Sequence, residues 1–241
     1  MIFAAGLGTR LSPLTNNMPK ALVPVGGQPL LWHAINHLYG YGIRHLVVNV
    51  HHFANQVVDY LAHHKWAGLE ILISDESECL LDTGGGLVKA LPLFIPGEPV
   101  LVANADVFCN APLDKMMAAH EKLNSSVTLM TMQRPSTRQL LFNPQGLLSG
   151  WVNHETGEKK IARIEPATHE SAFCGFHIIE PSFLAALPQQ EGKFPIMEAY
   201  LERAAEMEIH EFSMPGGHHW FDVGTLNKLE VVNQFISTAN K

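Results

Sequence analysis

The chain opens on a short apolar run, Met1 to Ala5, that passes directly into Gly6-Leu7-Gly8-Thr9-Arg10, with Pro19-Lys20 shortly after. A strand that opens into a glycine turn brings backbone N–H groups close to a bound anion, because no Cβ stands in the way. Arg10 and Lys20 supply positive charge to the same turn. The pattern reads as a cradle for a polyphosphate. It is not a P-loop, which needs G-x-x-x-x-G-K-[ST]. Nor is it the dinucleotide fingerprint G-x-G-x-x-G, because Leu11 stands where the third glycine belongs.

The same strand-then-turn rhythm continues. Pro29–Gly40 carries Leu30, Leu31, Ala34, Ile35 and Leu38 at helical spacing, and Leu46–Val50 is a β-branched run suited to a buried strand. Asn55–His64 reads as a helix, Leu69–Ile73 as a strand, and Gly86–Leu91 as a short helix stopped by Pro92. Pro99–Ala103 is another buried strand, followed by a helix over Leu113–Leu123 and a strand over Val127–Met132. Strands alternating with helices predict an α/β fold, with a mostly parallel central sheet and helices on both faces. Such sheets hold ligands at the carboxyl ends of their strands. Gln133 to Gly175 is less regular, contains Asn143-Pro144 and Gln145-Gly146, and reads as hairpins forming a small β-rich lid. No repeat, low-complexity tract or linker interrupts the 241 residues, so a single domain over 1–241 is expected.

Several function classes are excluded by composition. A formal charge of −7 argues against general nucleic-acid binding. No apolar stretch approaches the roughly 18 residues of a membrane span, and Met1–Ala5 is too short for a signal peptide. Three widely spaced cysteines point to a reducing, cytoplasmic setting rather than a disulfide framework. The 14 histidines include the doublets His51-His52, His63-His64 and His218-His219, but none has H-E-x-x-H spacing. Surface or loop positions are expected for them.

Two carboxylates stand where a hard cation could reach them. Asp106, in Asn104-Ala105-Asp106, follows the strand Pro99–Ala103. Asp222, in Trp220-Phe221-Asp222-Val223-Gly224-Thr225, sits at a strand-to-helix switch where Thr225 can cap a helix over Leu226–Phe235.

G-x-G-T-R with P-K, N-x-D after a central strand and W-x-D-V-G-T near the end resemble, in that order, the motifs of the sugar-1-phosphate nucleotidyltransferases. Asp82-Thr83-Gly84-Gly85-Gly86 and Ala172-Phe173-Cys174-Gly175 resemble the N-acetylmuramate-1-phosphate uridylyltransferases more narrowly. The resemblance implies a three-layer Rossmann-like fold. It also implies transfer of a nucleotidyl group from an NTP, UTP favoured, to a sugar 1-phosphate with release of pyrophosphate. By the same resemblance, Arg10, Lys20, Asp106 and Asp222 are catalytic, and Asp106 and Asp222 bind Mg2+. Ala4, Ala5, Gly6, Leu7, Gly8, Thr9, Arg10, Lys20, Asp82, Gly84, Gly85 and Asn104 contact the nucleotide, the glycine triplet lending backbone groups to the base. Asn104, Glu165, Gly175 and Asp222 contact the sugar. Many relatives place a lysine between Glu and Pro to hold the acceptor phosphate; here Ile164-Glu165-Pro166 lacks it, and Lys159, Lys160, Arg163 or Arg138 could substitute. Relatives also carry a few residues before the first strand. A monomer or small homo-oligomer is expected. The rival readings are a guanylyltransferase for mannose or heptose 1-phosphate, a non-catalytic nucleotide-sugar sensor, and a glycosyltransferase. Asp106-Val107-Phe108 argues against the last, since it lacks the second acid of D-x-D.

Overall fold

A computed structural model describes residues 1–188 and 192–239. The chain is mixed α/β and forms two compact units: 1–80, 103–111 and 219–241 make one, 81–102 and 112–218 the other.

In the first unit, Ile2–Phe3 lies parallel between His45–Val50 and the last two residues of Val100–Asn104, and His45–Val50 pairs in parallel with Glu70–Asp75. Parallel strands buried on both faces read as continuous apolar runs, and Leu46, Val47, Val48 and Val50 are all buried. Helix Leu30–Gly40 buries Leu30, Leu31, Ala34, Ile35 and Leu38, the residues its spacing selects. Helix Ala54–His63 turns Val57 and Leu61 inward. A core of Leu11, Val23, Val25, Leu30, Val223, Leu229 and Val232 ties the segment after the glycine turn to the C-terminal helix Leu226–Ala239. That helix starts where Thr225 expects it, the Lys228 amide donating to Thr225 Oγ1 at 3.4 Å.

In the second unit the long strand His169–Ile179 is flanked by antiparallel Val127–Met132 and Arg138–Phe142. Arg138–Phe142 continues through Leu148–Asn153 to Lys159–Ile161, so the irregular segment is indeed a run of hairpins. The turn at Asn143–Gly146 is held by Asn143 Oδ1, which accepts from the amides of Gln145 and Leu147.

Two sequence expectations need correction. The helix placed at Gly86–Leu91 begins four residues earlier, spanning Asp82–Ala90, and so takes in the whole glycine triplet. The histidines are not all at the surface: His120, His177 and His210 are buried. Each has a polar partner that makes burial tolerable. His120 meets Thr128 and Glu180, His210 meets Ser125, and His177 meets the Tyr200 hydroxyl.

Burial pushes His177 down from its ordinary value of 6.5 to about 3, and raises Tyr200 well above its own. The imidazole is therefore neutral, and its Nδ1 is hydrogen-bonded to the Tyr200 hydroxyl. Because the folded value lies below the unfolded one, the unfolded chain takes up this proton first as pH falls. Stability present above pH 6.5 is lost on descending toward about 3, by about 1.4 kcal/mol per pH unit. Urea titrations at pH 7 and pH 5 check this: His177→Gln should flatten the difference, and an unchanged difference would remove His177 from the account.

Candidate active site

The glycine turn is shaped by Gly8, whose φ of +67 lies in the left-handed region that favours glycine. A Cβ there would come within 2.9 Å of Lys20 Cβ and 3.0 Å of Thr15 Cγ2, so turn and lysine are packed together. Thr15 Oγ1 donates to the Gly8 carbonyl at 2.9 Å and the Leu11 amide donates to the same oxygen at 2.9 Å. Leu11 is fully buried while Gly6, Leu7, Thr9 and Arg10 are exposed, so one anchor presents four open residues. Behind them the Ala4 amide donates to Asn49 Oδ1 at 2.6 Å, and Asn49 Nδ2 donates to Glu76 Oε1 at 2.7 Å. That amide is therefore spent inside the protein and is withdrawn from the groups that could face a ligand.

The two aspartates reach the same place from distant parts of the sequence. Val107–Cys109 and Trp220–Asp222 form an antiparallel ribbon with Asp222 opposite Val107, and the Val223 amide donates to the Asp106 carbonyl at 2.9 Å. Lys20 Nζ donates to Asp106 Oδ2, and Lys228 Nζ donates to Asp222 Oδ2 at 2.6 Å. A Cβ at Gly224 would lie 2.8 Å from Asp222 Oδ1 and 3.2 Å from Arg10 Nη2. The absent side chain of Gly224 thus leaves room beside both the Asp222 carboxylate and the Arg10 guanidinium. Asn104 pairs beside Phe3 at the end of its strand. The first unit therefore brings together Arg10, Lys20, Asn104, Asp106 and Asp222 around the turn.

Lys228 and the Asn49–Glu76 pair escaped the sequence reading. Asn49 was visible as a polar residue interrupting Leu46–Val50; Lys228 had no signal beyond lying on the helix after Asp222.

Asp82, Gly84, Gly85, Glu165 and Gly175 lie in the second unit. The Gly84 and Gly85 amides donate to the Phe194 carbonyl at 2.9 and 3.3 Å, and the Phe194 amide donates to the Leu81 carbonyl at 3.2 Å. Those amides are therefore not open to a base, contrary to expectation. Asp82 itself is exposed, Glu165 is exposed, and Gly175 is buried in its strand at φ +81. Of the four cations that could replace the missing lysine, Arg163 is committed to the Met207 carbonyl at 2.8 Å.

No group of three or more His, Cys, Asp or Glu residues that could hold a metal occurs among the described residues. Two carboxylates nonetheless suit a hard divalent cation that keeps waters and completes its shell with substrate phosphate. The donor set is all oxygen, and each carboxylate is held by an ammonium that carries the compensating charge.

A glycine turn with two cations and two carboxylates on such a scaffold fits a nucleotidyl transferase, and the chain belongs to that family, whose model matches residues 1–239. Proteins of this kind generally use a divalent metal. The chain is 42% identical over 239 residues to N-acetylmuramate alpha-1-phosphate uridylyltransferase of Neisseria meningitidis, covering 95% of this chain and 94% of that one. To the protein of the same name from Caulobacter vibrioides it is 35% identical over 230 residues, covering 93% and 90%. A mannose-1-phosphate guanyltransferase of Yarrowia lipolytica matches at 28% over 93% of this chain and 60% of that one. Among solved structures, UDP-glucose pyrophosphorylase from Acinetobacter baumanii superposes with a TM-score of 0.82 at 14% identity, covering 99% and 92% of the two chains. The structure of HddC from Yersinia pseudotuberculosis complexed with GMP-PN gives 0.76 at 18%, covering 98% and 97%. These two show the Rossmann-like fold. No helix among the described residues is long and apolar enough to cross a membrane.

Proposed function

We propose that the protein transfers a uridylyl group from UTP to N-acetylmuramate 1-phosphate, releasing pyrophosphate, in the cytoplasmic recycling of peptidoglycan. The observation that carries the reaction is the convergence of Arg10, Lys20, Asp106 and Asp222 at one glycine turn. Identity of 35–42% to two uridylyltransferases of that name supports the substrate pair.

The acceptor phosphate has a second pKa of about 6 and is already largely dianionic at pH 7. No general base has to be found, because no proton has to leave before attack. One acceptor oxygen forms a bond to the α-phosphorus as the bond from that phosphorus to the departing pyrophosphate breaks, the two in line. The protein's task is positioning and compensation of charge. The backbone of Gly6, Leu7, Gly8 and Thr9 holds the triphosphate. Arg10, whose guanidinium is open, donates to its oxygens, and Lys20 lends its charge beside Asp106. Asp106 and Asp222 are the residues that would hold Mg2+, which supplies neutralisation of phosphate charge when bound. Asp82 is assigned to the base, and Asn104, Glu165, Gly175 and Asp222 to the sugar.

The test is pyrophosphate release with magnesium, each of the four NTPs and a panel of sugar 1-phosphates. UTP with N-acetylmuramate 1-phosphate should give the highest kcat/KM. GTP with mannose 1-phosphate as the best pair would replace this reading by the guanylyltransferase one. Nucleotide binding without turnover on any pair would replace it by a sensor.

A further inference from the structure

Within the first unit a carboxylate with no exposure to water closes the parallel strand Glu70–Asp75. It belongs to Glu76, whose backbone is fixed on both sides. The Glu76 amide donates to the Val50 carbonyl at 2.8 Å, and the Glu76 carbonyl accepts from His51 Nδ1 at 2.7 Å. Taking a carboxylate out of water is strongly unfavourable unless it is hydrogen-bonded, and Oε1 is the atom that meets Asn49.

The polarity of the contacts is set from their far end. The Ala4 amide can only donate, so the Asn49 atom that meets it at 2.6 Å is Oδ1. The amino group then faces Glu76, and Oε1 accepts from it at 2.7 Å. A carboxylate at that position therefore holds the Asn49 amide in the one orientation that captures Ala4. The capture falls where the chain leaves the sheet. Phe3 is the last residue of its strand and lies opposite Asn49, and its carbonyl accepts from the Ala105 amide at 3.0 Å. At Ala4 the side chain of Asn49 takes over from the backbone ladder. The exposed residues Gly6, Leu7, Thr9 and Arg10 thus start from a point pinned two residues earlier.

We propose that Asn49 and Glu76 are positioning residues for the triphosphate, fixing through Ala4 the direction in which the glycine turn presents its amides. The identity of the ligand rests on the reaction given above. Asn49 is 3% exposed and Glu76 0%, so both act through the backbone rather than on the ligand. A turn pinned at its entry has less freedom to lose when the nucleotide binds, which strengthens binding without any new contact. The triphosphate is held before and during the reaction, so the relay contributes to KM rather than to kcat.

Isosteric exchange can break this relay and rebuild it. Asn49→Asp sets two acceptors against each other. Asn49→Asp with Glu76→Gln restores the contact in reverse, the new amide donating to the new carboxylate, which still accepts from Ala4. Asn49→Leu with Glu76→Met removes both polar ends at similar volume and leaves no unpaired carboxylate behind. Calorimetry on the full chain with UTP and magnesium, in alkaline buffer, should show affinity weakened about 10- to 100-fold in the first and third variants and restored in the second. KM for UTP should follow the same factors, with kcat and the KM for N-acetylmuramate 1-phosphate nearly constant. Hydrogen exchange at the Ala4 amide should quicken in the apolar pair and slow again in the reversed pair. A purely structural role would instead lower the folded fraction, and with it the apparent kcat, at unchanged UTP affinity. That result, a folded reversed pair that stays weak, or an apolar pair that binds UTP like wild type would each overturn the assignment. If Asn49→Asp does not fold, the two paired variants decide. Wild type that binds UTP but turns over no sugar 1-phosphate would overturn the reaction and leave the relay to the binding series; wild type that binds no NTP would overturn both.

Discussion

Replacing Asp106 by alanine is expected to lower turnover about 10²- to 10³-fold, the usual cost of losing one preorganised charge contact at a reacting phosphoryl group. Two consequences of the geometry converge on that figure. Among the described residues the carboxylate is one of two at the turn that can hold a divalent cation, and it is the partner of Lys20 Nζ. The Asp106 carboxylate is 31% exposed but the Lys20 side chain only 12%, so the alanine variant also leaves a largely buried ammonium without its partner, and its folding has to be measured alongside its rate. Asp106→Asn separates the two duties: it keeps an oxygen for Lys20 and removes the charge. An asparagine variant as slow as the alanine one assigns the loss to charge, whereas near-wild-type turnover in the asparagine variant reduces Asp106 to a tether for Lys20. Lys20→Ala should cost a similar factor. Steady-state pyrophosphate release, with circular dichroism to verify folding, decides both, and near-normal rates in either alanine variant would contradict the mechanism.

The parts of this site that could be read in the sequence are those whose cause is local. The turn at Gly8 needs φ > 0 and a close approach, and Lys20 lies near enough in the chain to pack on it. The buried strands announced themselves as β-branched runs, and the inward face of Leu30–Gly40 followed from its spacing. What was not legible is whatever a distant partner decides. Asp106 and Asp222 could each be placed at a strand end, but their adjacency depends on the ribbon of Val107–Cys109 with Trp220–Asp222. Lys228 is informative only once Asp222 is known to face it. His120 and His177 look like surface residues until Thr128, Glu180 and Tyr200 supply the hydrogen bonds that make burial affordable.

The glycine triplet gives the second large effect, in stability rather than rate. Three successive glycines disfavour a helix by roughly 1 kcal/mol each relative to alanine, which is why a helix is expected from the sequence only from Gly86 onward. Packing overrides that preference. All three are buried within Asp82–Ala90, the Phe194 segment crosses so closely that its carbonyl accepts from two of their amides, and the Ile196 amide donates to Thr83 Oγ1 at 2.9 Å. A Cβ at Gly85 would stand 2.0 Å from the Gly192 carbonyl oxygen, a backbone atom with no rotamer to escape into. Gly85→Ala is therefore expected to cost about 3 kcal/mol after any gain in helix propensity, at the upper end of overpacking penalties, lowering Tm by roughly 6–12 °C for a chain of this length. At Gly84 the clashing atoms belong to the Phe194 ring, at 2.2 Å, and a ring can rotate or shift, so Gly84→Ala should cost less. Thermal unfolding ranks the two variants, and the UTP KM of the folded fraction shows what the glycines are for. A Gly85→Ala protein that keeps its Tm but loses UTP affinity would mean that the triplet faces the base after all; a protein that melts early with its KM intact means that glycine is required so that the chain of Gly192 and Phe194 can lie against the helix.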